Sequence, residues 1–241
     1  MRVIRSVRFT VPTLAVLLVA ACLPAYGQPT SDSIVAACVD AMGGAARIEA
    51  LKTLRLTVIF PDHPHPILYE IRRPNLLRNG PVTGDYVALF DGKRGVLLAG
   101  RPDGEGRTEP PRFADPEEVK DFEVDIGWFV PAFFDHRSEY LGRETLDGRE
   151  TDKLEVALPL GAKMTYWIDA RSHLIARAAT DFSLRGQVHH SERNFSDYRK
   201  VDGLLYPHAF TYQGKEGVRT GTIEKIELDV PIDDARFRIP E

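Results

Sequence analysis

The stretch 164–212 is the part of this chain that most constrains its fold. Apolar and polar side chains alternate along it, so Tyr166 and Ile168 share one face of a predicted strand. Such alternation is typical of a β-strand with one buried face. Farther along, Asp202-Gly203 separates two further runs and favours a tight hairpin, because both residues tolerate a positive φ. The stretch predicts an antiparallel sheet, and it carries no catalytic motif.

The same combination of strand and turn recurs along most of the chain. Asp-Gly pairs at 91–92 and 147–148 separate further alternating runs, and a last long strand is predicted over 220–230. We count roughly ten or eleven strands, nearly all joined by hairpins, and so many antiparallel strands curl into a barrel, a half-barrel or a sandwich. The pattern predicts a mainly β (α+β) fold with few helices.

Two helical segments interrupt the strands. The first begins at the candidate N-caps 30–33 and ends at Gly43-Gly44. The second is predicted over 115–134, with Asp115 as N-cap, an apolar stripe, and a kink or break at Pro131. The Pro- and Gly-rich residues 100–118 predict a surface loop before it. This aromatic helix would cover a concave sheet face or plug its mouth.

The N-terminus has the layout of a secretory signal peptide. Three arginines precede the apolar segment 11–23, which is shorter than the ~20 residues that span a membrane, and small residues lead to a predicted cleavage site after Gly27. We therefore predict a signal peptide over 1–27 and a single domain over 28–241. The exported product would be periplasmic.

A second processing route remains open, because 19–22 also matches a bacterial lipobox ending in Cys22. Lipidation of Cys22 would anchor the protein to the outer membrane. The other cysteine, Cys38, lies in an apolar helical setting that predicts a buried small side chain. With so few cysteines the sequence predicts no disulfide framework.

The charge narrows the possible partners. The formal net charge is −4, and removing the three arginines of the signal peptide leaves about −7. Nucleic acids and anionic membrane faces are bound by clustered lysine and arginine, which the sequence lacks. We predict no nucleic-acid partner, and membrane association only as a peripheral or lipid-anchored protein.

Catalytic signatures are absent from the sequence: it has no nucleophile elbow, P-loop, zinc-protease helix or dinucleotide fingerprint. His63 and His65 could share a zinc ion, although a third ligand would have to come from elsewhere, and exposed loop histidines explain them as well. The acidic residues of 121–125 could supply a carboxylate pair, but they equally suit a solvated helix face. We predict no enzymatic activity, no catalytic residue, no metal site and no cofactor.

The aromatic side chains suggest a cavity. A large sheet with few helices has difficulty filling its own interior, and a wide half-barrel commonly encloses a ligand. The alternative is that these side chains simply fill the core. The candidate lining residues are Trp128, Phe129, Phe133, Phe134, Tyr166, Ile168, Phe195 and Phe210.

Several strand and turn motifs resemble those of one protein family. The resemblance covers nearly all of the mature chain, and its motifs belong to strands and turns and not to a site. They are Ala41-Met42-Gly43-Gly44, Leu51-Lys52-Thr53-Leu54-Arg55-Leu56, Phe90-Asp91-Gly92, Tyr166-Trp167-Ile168-Asp169, Leu174-Ile175-Ala176-Arg177, Tyr198-Arg199-Lys200-Val201-Asp202-Gly203 and Tyr206-Pro207. In this order they resemble the outer-membrane lipoprotein carrier and sorting superfamily, the LolA/LolB-like proteins, in a divergent branch.

The resemblance implies an unclosed antiparallel β-barrel of about eleven strands, with a few helices covering the concave face above an apolar cavity. It also implies a monomeric binding protein of the envelope that holds an acyl chain, a lipid or a lipidated protein, for example in lipoprotein sorting. Two alternatives stay open: an envelope regulatory or scaffold module that binds protein partners, and a metal-dependent hydrolase that uses His63 and His65.

Overall fold

A computed structural model describes residues 29–100, 109–214 and 217–241. The predicted signal peptide 1–27, its cleavage site at Gly27 and the lipidation site Cys22 lie outside these residues, so they stay predictions. None of the helices in the described part is long and apolar enough to cross a membrane.

Thirteen strands in the described part form one antiparallel sheet. In chain order they are β1 (Thr53–Ile59), β2 (Ile67–Arg72), β3 (Leu76–Pro81), β4 (Tyr86–Phe90), β5 (Gly95–Ala99), β6 (Arg112–Phe113), β7 (Glu139–Leu146), β8 (Arg149–Ala157), β9 (Lys163–Asp169), β10 (Ile175–Leu184), β11 (Gln187–Val201), β12 (Leu204–Gly214) and β13 (Gly217–Leu228). The spatial order is β6-β5-β4-β3-β2-β1-β13-β12-β11-β10-β9-β8-β7, so β6 and β7 are the two edges of an unclosed sheet. The predicted fold class is confirmed, with a few more strands than expected.

The predicted Asp-Gly turns build the hairpins of this sheet. Asp202 and Gly203 have φ values of 44° and 91°, and Asp147 and Gly148 have values of 50° and 77°. Positive φ at both central residues defines the turn whose twist matches that of the flanking strands. Only glycine, asparagine and aspartate adopt it at low cost, which is why the sequence signal was reliable.

Three α-helices are present in the described part: α1 (Ser31–Met42), α2 (Ala45–Ala50) and α3 (Lys120–Phe129). Short 3-10 helices span Ala132–Phe134 and Asp234–Phe237. Thr30 caps α1 with a reciprocal capping box, and Gly43 ends the helix at φ 134°. Both helix limits agree with the prediction from the sequence.

The second predicted helix is shorter than expected. Asp115 Oδ1 accepts hydrogen bonds from the backbone N–H of Glu117 at 2.9 Å and of Glu118 at 2.8 Å, as the predicted cap requires. However, the next turn is closed by i→i+3 bonds, such as Phe122 N–H to Val119 O at 3.3 Å, and regular α-geometry begins only at Lys120. The tighter first turn is typical of helix termini. Pro131 separates α3 from the 3-10 helix that follows, as predicted.

Both faces of the sheet are covered over part of their area. The main core lies on the concave face, where α1 and α3 pack against the inward side chains of the strands. A smaller core on the convex face joins Val87, Leu89, Val96 and Leu98 to Ile239 of the C-terminal segment. The sequences of strands β4 and β5 are continuous apolar runs, because both faces of these strands are buried.

Candidate functional site

Helix α3 is embedded in the concave face more deeply than a surface lid. Seven of its ten residues are buried, including Phe122, Val124, Trp128 and Phe129. An amphipathic helix that only covers a surface buries one stripe. Since α3 buries residues around most of its circumference, it occupies the space that the sheet encloses, deeper than the predicted cover or plug of the mouth.

The structure brings all eight predicted lining residues into or against one core. Trp128, Phe129, Tyr166 and Phe195 border a small apolar cavity of about 20 Å³ beneath α3. This volume is that of a packing defect, far smaller than an acyl chain needs. The lining role of these residues stays a prediction, because α3 itself fills the interior in this state.

The other four predicted residues extend the same aromatic layer. Phe133 packs edge-on against Tyr166 with ring centroids 5.0 Å apart, and Phe134 packs against Phe133 at 5.3 Å. Phe210 is fully buried, with its ring centroid 6.4 Å from that of Phe195. Ile168 is 1% exposed and lies in the same core.

In the described part, the side chains of Tyr166, Glu123 and Asp125 hold α3 against the rest of the fold. The Tyr166 hydroxyl donates to Gly127 O at 3.1 Å and accepts from Ala132 N–H at 2.9 Å. Glu123 Oε2 accepts from the Leu160 N–H at 2.8 Å. Asp125 Oδ2 accepts from Asn79 Nδ2 of β3 at 2.9 Å. Gly127 allows this approach, since a Cβ at this position would lie 3.3 Å from the Met164 side chain.

A wider cavity of about 570 Å³ opens beside α3 and the strands β10 to β12. Its lining is part polar and part apolar, in contrast to the interior. The lining residues used below are Asp121, Asp125, Trp128, Glu192, Arg193 and Tyr212. Trp128 borders both this cavity and the apolar one.

Arg193 of β11 is the cation on the inner side of this wider cavity. Its guanidinium carbon lies 4.6 Å from the ring centroid of Trp128, 4.9 Å from that of Phe210 and 5.3 Å from that of Phe129. Such contacts are attractive because the face of an aromatic ring is electronegative. Burial lowers the pKa of the Arg193 guanidinium, but an arginine stays protonated in proteins.

Asp125 of α3 is the acid on the same side. Burial raises the pKa of its carboxyl from 3.8 to about 6, while the charge of Arg193 and the hydrogen bond from Asn79 act in the opposite direction. Asp121, one turn earlier and more exposed, also has a raised pKa because of partial burial. The interior thus disfavours negative charge on Asp125, and its two polar neighbours only partly compensate.

The histidine and cysteine candidates do not assemble into a site in the described part. His63 Nδ1 lies 2.8 Å from the backbone oxygen of His65, in the loop between β1 and β2. Over 29–100, 109–214 and 217–241, no group of three His, Cys, Asp or Glu side chains could hold a metal ion. Cys38 is fully buried, and burial raises the pKa of its thiol to about 12, so the predicted structural role is confirmed.

Arg193 is the residue that the sequence analysis missed. The signal was available, because Arg193 and Phe195 are two apart on one strand and therefore point to the same face. An arginine on the apolar face of a strand is unusual. The alternation places it inside, but only the structure shows that the rings of Phe60, Trp128 of α3 and Phe210 of β12 surround it.

Comparison with solved structures gives the chain the fold of the LolA superfamily. A LolA superfamily protein from Nitrosomonas europaea matches 88% of this chain and 98% of its own, with a TM-score of 0.53 and 15% identity. A DUF1329 family protein from Desulfovibrio piger covers 84% of this chain and 96% of its own, at a TM-score of 0.46 and 13% identity. An outer membrane lipoprotein-sorting protein domain from Vibrio parahaemolyticus covers 80% of this chain and 94% of its own, at 0.39 and 13%.

The first of these matches confirms, at the level of the fold, the resemblance noted in the sequence. No protein-family model matches the chain, and no curated protein is similar to it.

Proposed function

We propose that this chain is an exported, non-enzymatic envelope protein that binds the acyl chain of a lipid or lipidated protein between its sheet and α3. The observation that carries the proposal is the aromatic concave face closed by a helix that is itself largely apolar. A ligand of similar chemistry can replace such a helix without exposing the core to water. The periplasmic location and a monomeric state are part of the same proposal.

The fastening of α3 is compatible with this exchange. Helix α3 (Lys120–Phe129) is short and makes few polar contacts with the sheet in the described part. Pro131 follows it and cannot continue the helix. Moving α3 outward would join the small apolar cavity to the wider one, since Trp128 of α3 borders both. The acyl chain would then lie where Trp128 and Phe129 now face Phe195 and Phe210.

A chain-length series tests the proposal. We expect linear alcohols to form complexes of one ligand per protein, detected by native mass spectrometry after incubation below their solubility limits. Each added methylene should contribute about 0.8 kcal/mol, about fourfold in Kd, until the interior is full. Beyond that length the affinity should stop rising, because further methylenes stay in water.

Two results would contradict the proposal. One is the absence of any complex at every chain length. The other is an affinity that rises without a limit and with several ligands per protein, which indicates adsorption to exposed apolar surface. A heat-unfolded sample of the same protein provides the matched control for such adsorption, and it should show no plateau.

A further inference from the structure

Arg193 is a cation held inside an aromatic enclosure. It pairs in register with Tyr212 of β12 and Ala178 of β10, and it points to the same side as Phe195. Its guanidinium lies within 6 Å of the ring centroids of Phe60, Trp128, Phe129 and Phe210. Rings attract the cation, but they accept no conventional hydrogen bonds. The donors of the guanidinium therefore depend on other groups.

Among the residues that the structure describes, the guanidinium of Arg193 lacks a full set of hydrogen-bond and ion-pair partners. The Nη1 atom of Arg193 is buried and has no hydrogen-bond partner among the described residues. The Tyr69 hydroxyl interacts with the guanidinium, yet no carboxylate of the described part lies within ion-pair distance of it. By contrast, Arg73 lies 2.6 Å from Asp135, and Arg78 lies 3.2 Å from Glu70. A buried charge without an ionic partner destabilises the protein unless another group offsets the loss of its hydration.

None of the carboxylates that line the cavity in the described part forms an ion pair with Arg193. Asp125 accepts from Asn79. Glu192 lies 3.6 Å from Arg177 and 3.8 Å from His190. Asp121 is an exposed residue of the cavity lining. The polar group left with an unused donor on the inner side of the cavity is therefore the guanidinium.

The guanidinium of Arg193 lies where it could bind the head group of an amphiphile. Arg193 lines the cavity of about 570 Å³, and Trp128, whose ring it contacts, also borders the apolar interior. A single molecule could therefore keep its head in the wider cavity and its tail beneath α3. Charge-assisted hydrogen bonds from a guanidinium to a carboxylate or phosphate are among the strongest in proteins.

We propose that Arg193 binds the compact anionic head group (carboxylate, phosphate or sulfonate) of a single-chain amphiphile whose tail enters the apolar interior. This inference rests on the proposed function and specifies its ligand class. Arg193 would act as a specificity determinant: it adds affinity for an anionic head to an apolar affinity that the interior supplies alone.

The test compares three probes of equal chain length: decane-1-sulfonate, decan-1-ol and decyltrimethylammonium, each below its micelle-forming concentration. For the full chain we expect the sulfonate to bind about tenfold more tightly than the alcohol, and the cation more weakly than either. Arg193→Met should abolish the preference for the sulfonate and leave the affinity for the alcohol unchanged. Arg199→Met, which removes an exposed arginine paired with Asp197, is the matched control and should behave as the parent.

A second variant acts in the opposite direction. Asp125→Asn removes a carboxylate that lines the same cavity as Arg193 and keeps its shape, so it should raise the ratio of the sulfonate affinity to the alcohol affinity several-fold. Retained binding of the alcohol by each variant shows that the variant is folded.

The outcomes separate the two proposals. A parent protein that binds sulfonate and alcohol equally, or an Arg193→Met variant that keeps the preference, overturns the role of Arg193 and leaves the proposed function standing. Failure of all three amphiphiles to bind overturns both. Inorganic phosphate or acetate tests for a tailless anion: binding of either as tight as that of the sulfonate overturns the assignment to an amphiphile.

Discussion

We expect Glu70→Gln to lower the free energy of unfolding by about 3–5 kcal/mol, because it removes the one negative charge that three arginines share. Glu70 lies on the convex side of β2 and its side chain is 0% exposed. Its carboxylate lies 3.0 Å from Arg55, 3.2 Å from Arg78 and 2.5 Å from Arg236. A neutral amide would leave three guanidinium groups close together with no counter-charge.

Urea unfolding monitored by far-UV circular dichroism measures this loss. Asp197→Asn is the matched control, since Asp197 forms an exposed pair with Arg199 at 2.5 Å. Exposed pairs contribute at most about 1 kcal/mol, so the control should unfold close to the parent. A loss below about 1 kcal/mol for Glu70→Gln would show that the arginine cluster does not depend on this carboxylate.

We expect Asp125→Asn to stabilise the protein at neutral pH by about 1–2 kcal/mol. A pKa shift corresponds to about 1.36 kcal/mol per unit, and we reduce the resulting free energy because the cavity is open to solvent. The folded pKa of Asp125, about 6, lies above the unfolded value of 3.8. Between these values the folded state holds a proton that the unfolded state has lost. The contribution of Asp125 to stability therefore falls as pH rises from 3.8 to about 6, and it stays unfavourable above.

The difference between variant and parent is the quantity to measure, since other groups also titrate. It should be near zero at pH 4 and reach its full value by about pH 7. Asp40→Asn, on the exposed side of α1, controls for the loss of one negative charge and should change stability by less than about 0.5 kcal/mol. A variant less stable than the parent at pH 7 would show that Asp125 is held as a favourable anion.

The sheet was predictable from the sequence because its determinants are local. Alternation along a strand, as at Tyr166 and Ile168, and the Asp-Gly turns act over a few residues. The cap at Asp115 and the break at Pro131 are local in the same way. These signals yielded the fold class and the positions of most hairpins.

The candidate site was less predictable because it depends on contacts distant in sequence. The alternation around Arg193 places it on the inner face, but it does not indicate that the guanidinium meets the rings of Phe60, Trp128 and Phe210. Likewise, the ties between Glu70 and Arg236 and between Asp125 and Asn79 join segments far apart in the chain. The depth of α3 also escaped prediction, since its apolar stripe indicated one buried face while the concave sheet encloses it on several sides.

The central claim is that an acyl chain binds between α3 and the sheet, and the two tryptophans of the chain offer a direct test. Trp128 is 6% exposed and borders the interior, whereas Trp167 lies on the opposite face of β9 from Tyr166, beside Lys153. Trp167→Phe leaves Trp128 as the only indole, and Trp128→Phe leaves Trp167. A chain-brominated fatty acid quenches tryptophan fluorescence on contact. We expect saturable quenching in the Trp167→Phe protein and none in the Trp128→Phe protein, whereas equal quenching of both, or quenching of neither, would contradict binding beneath α3.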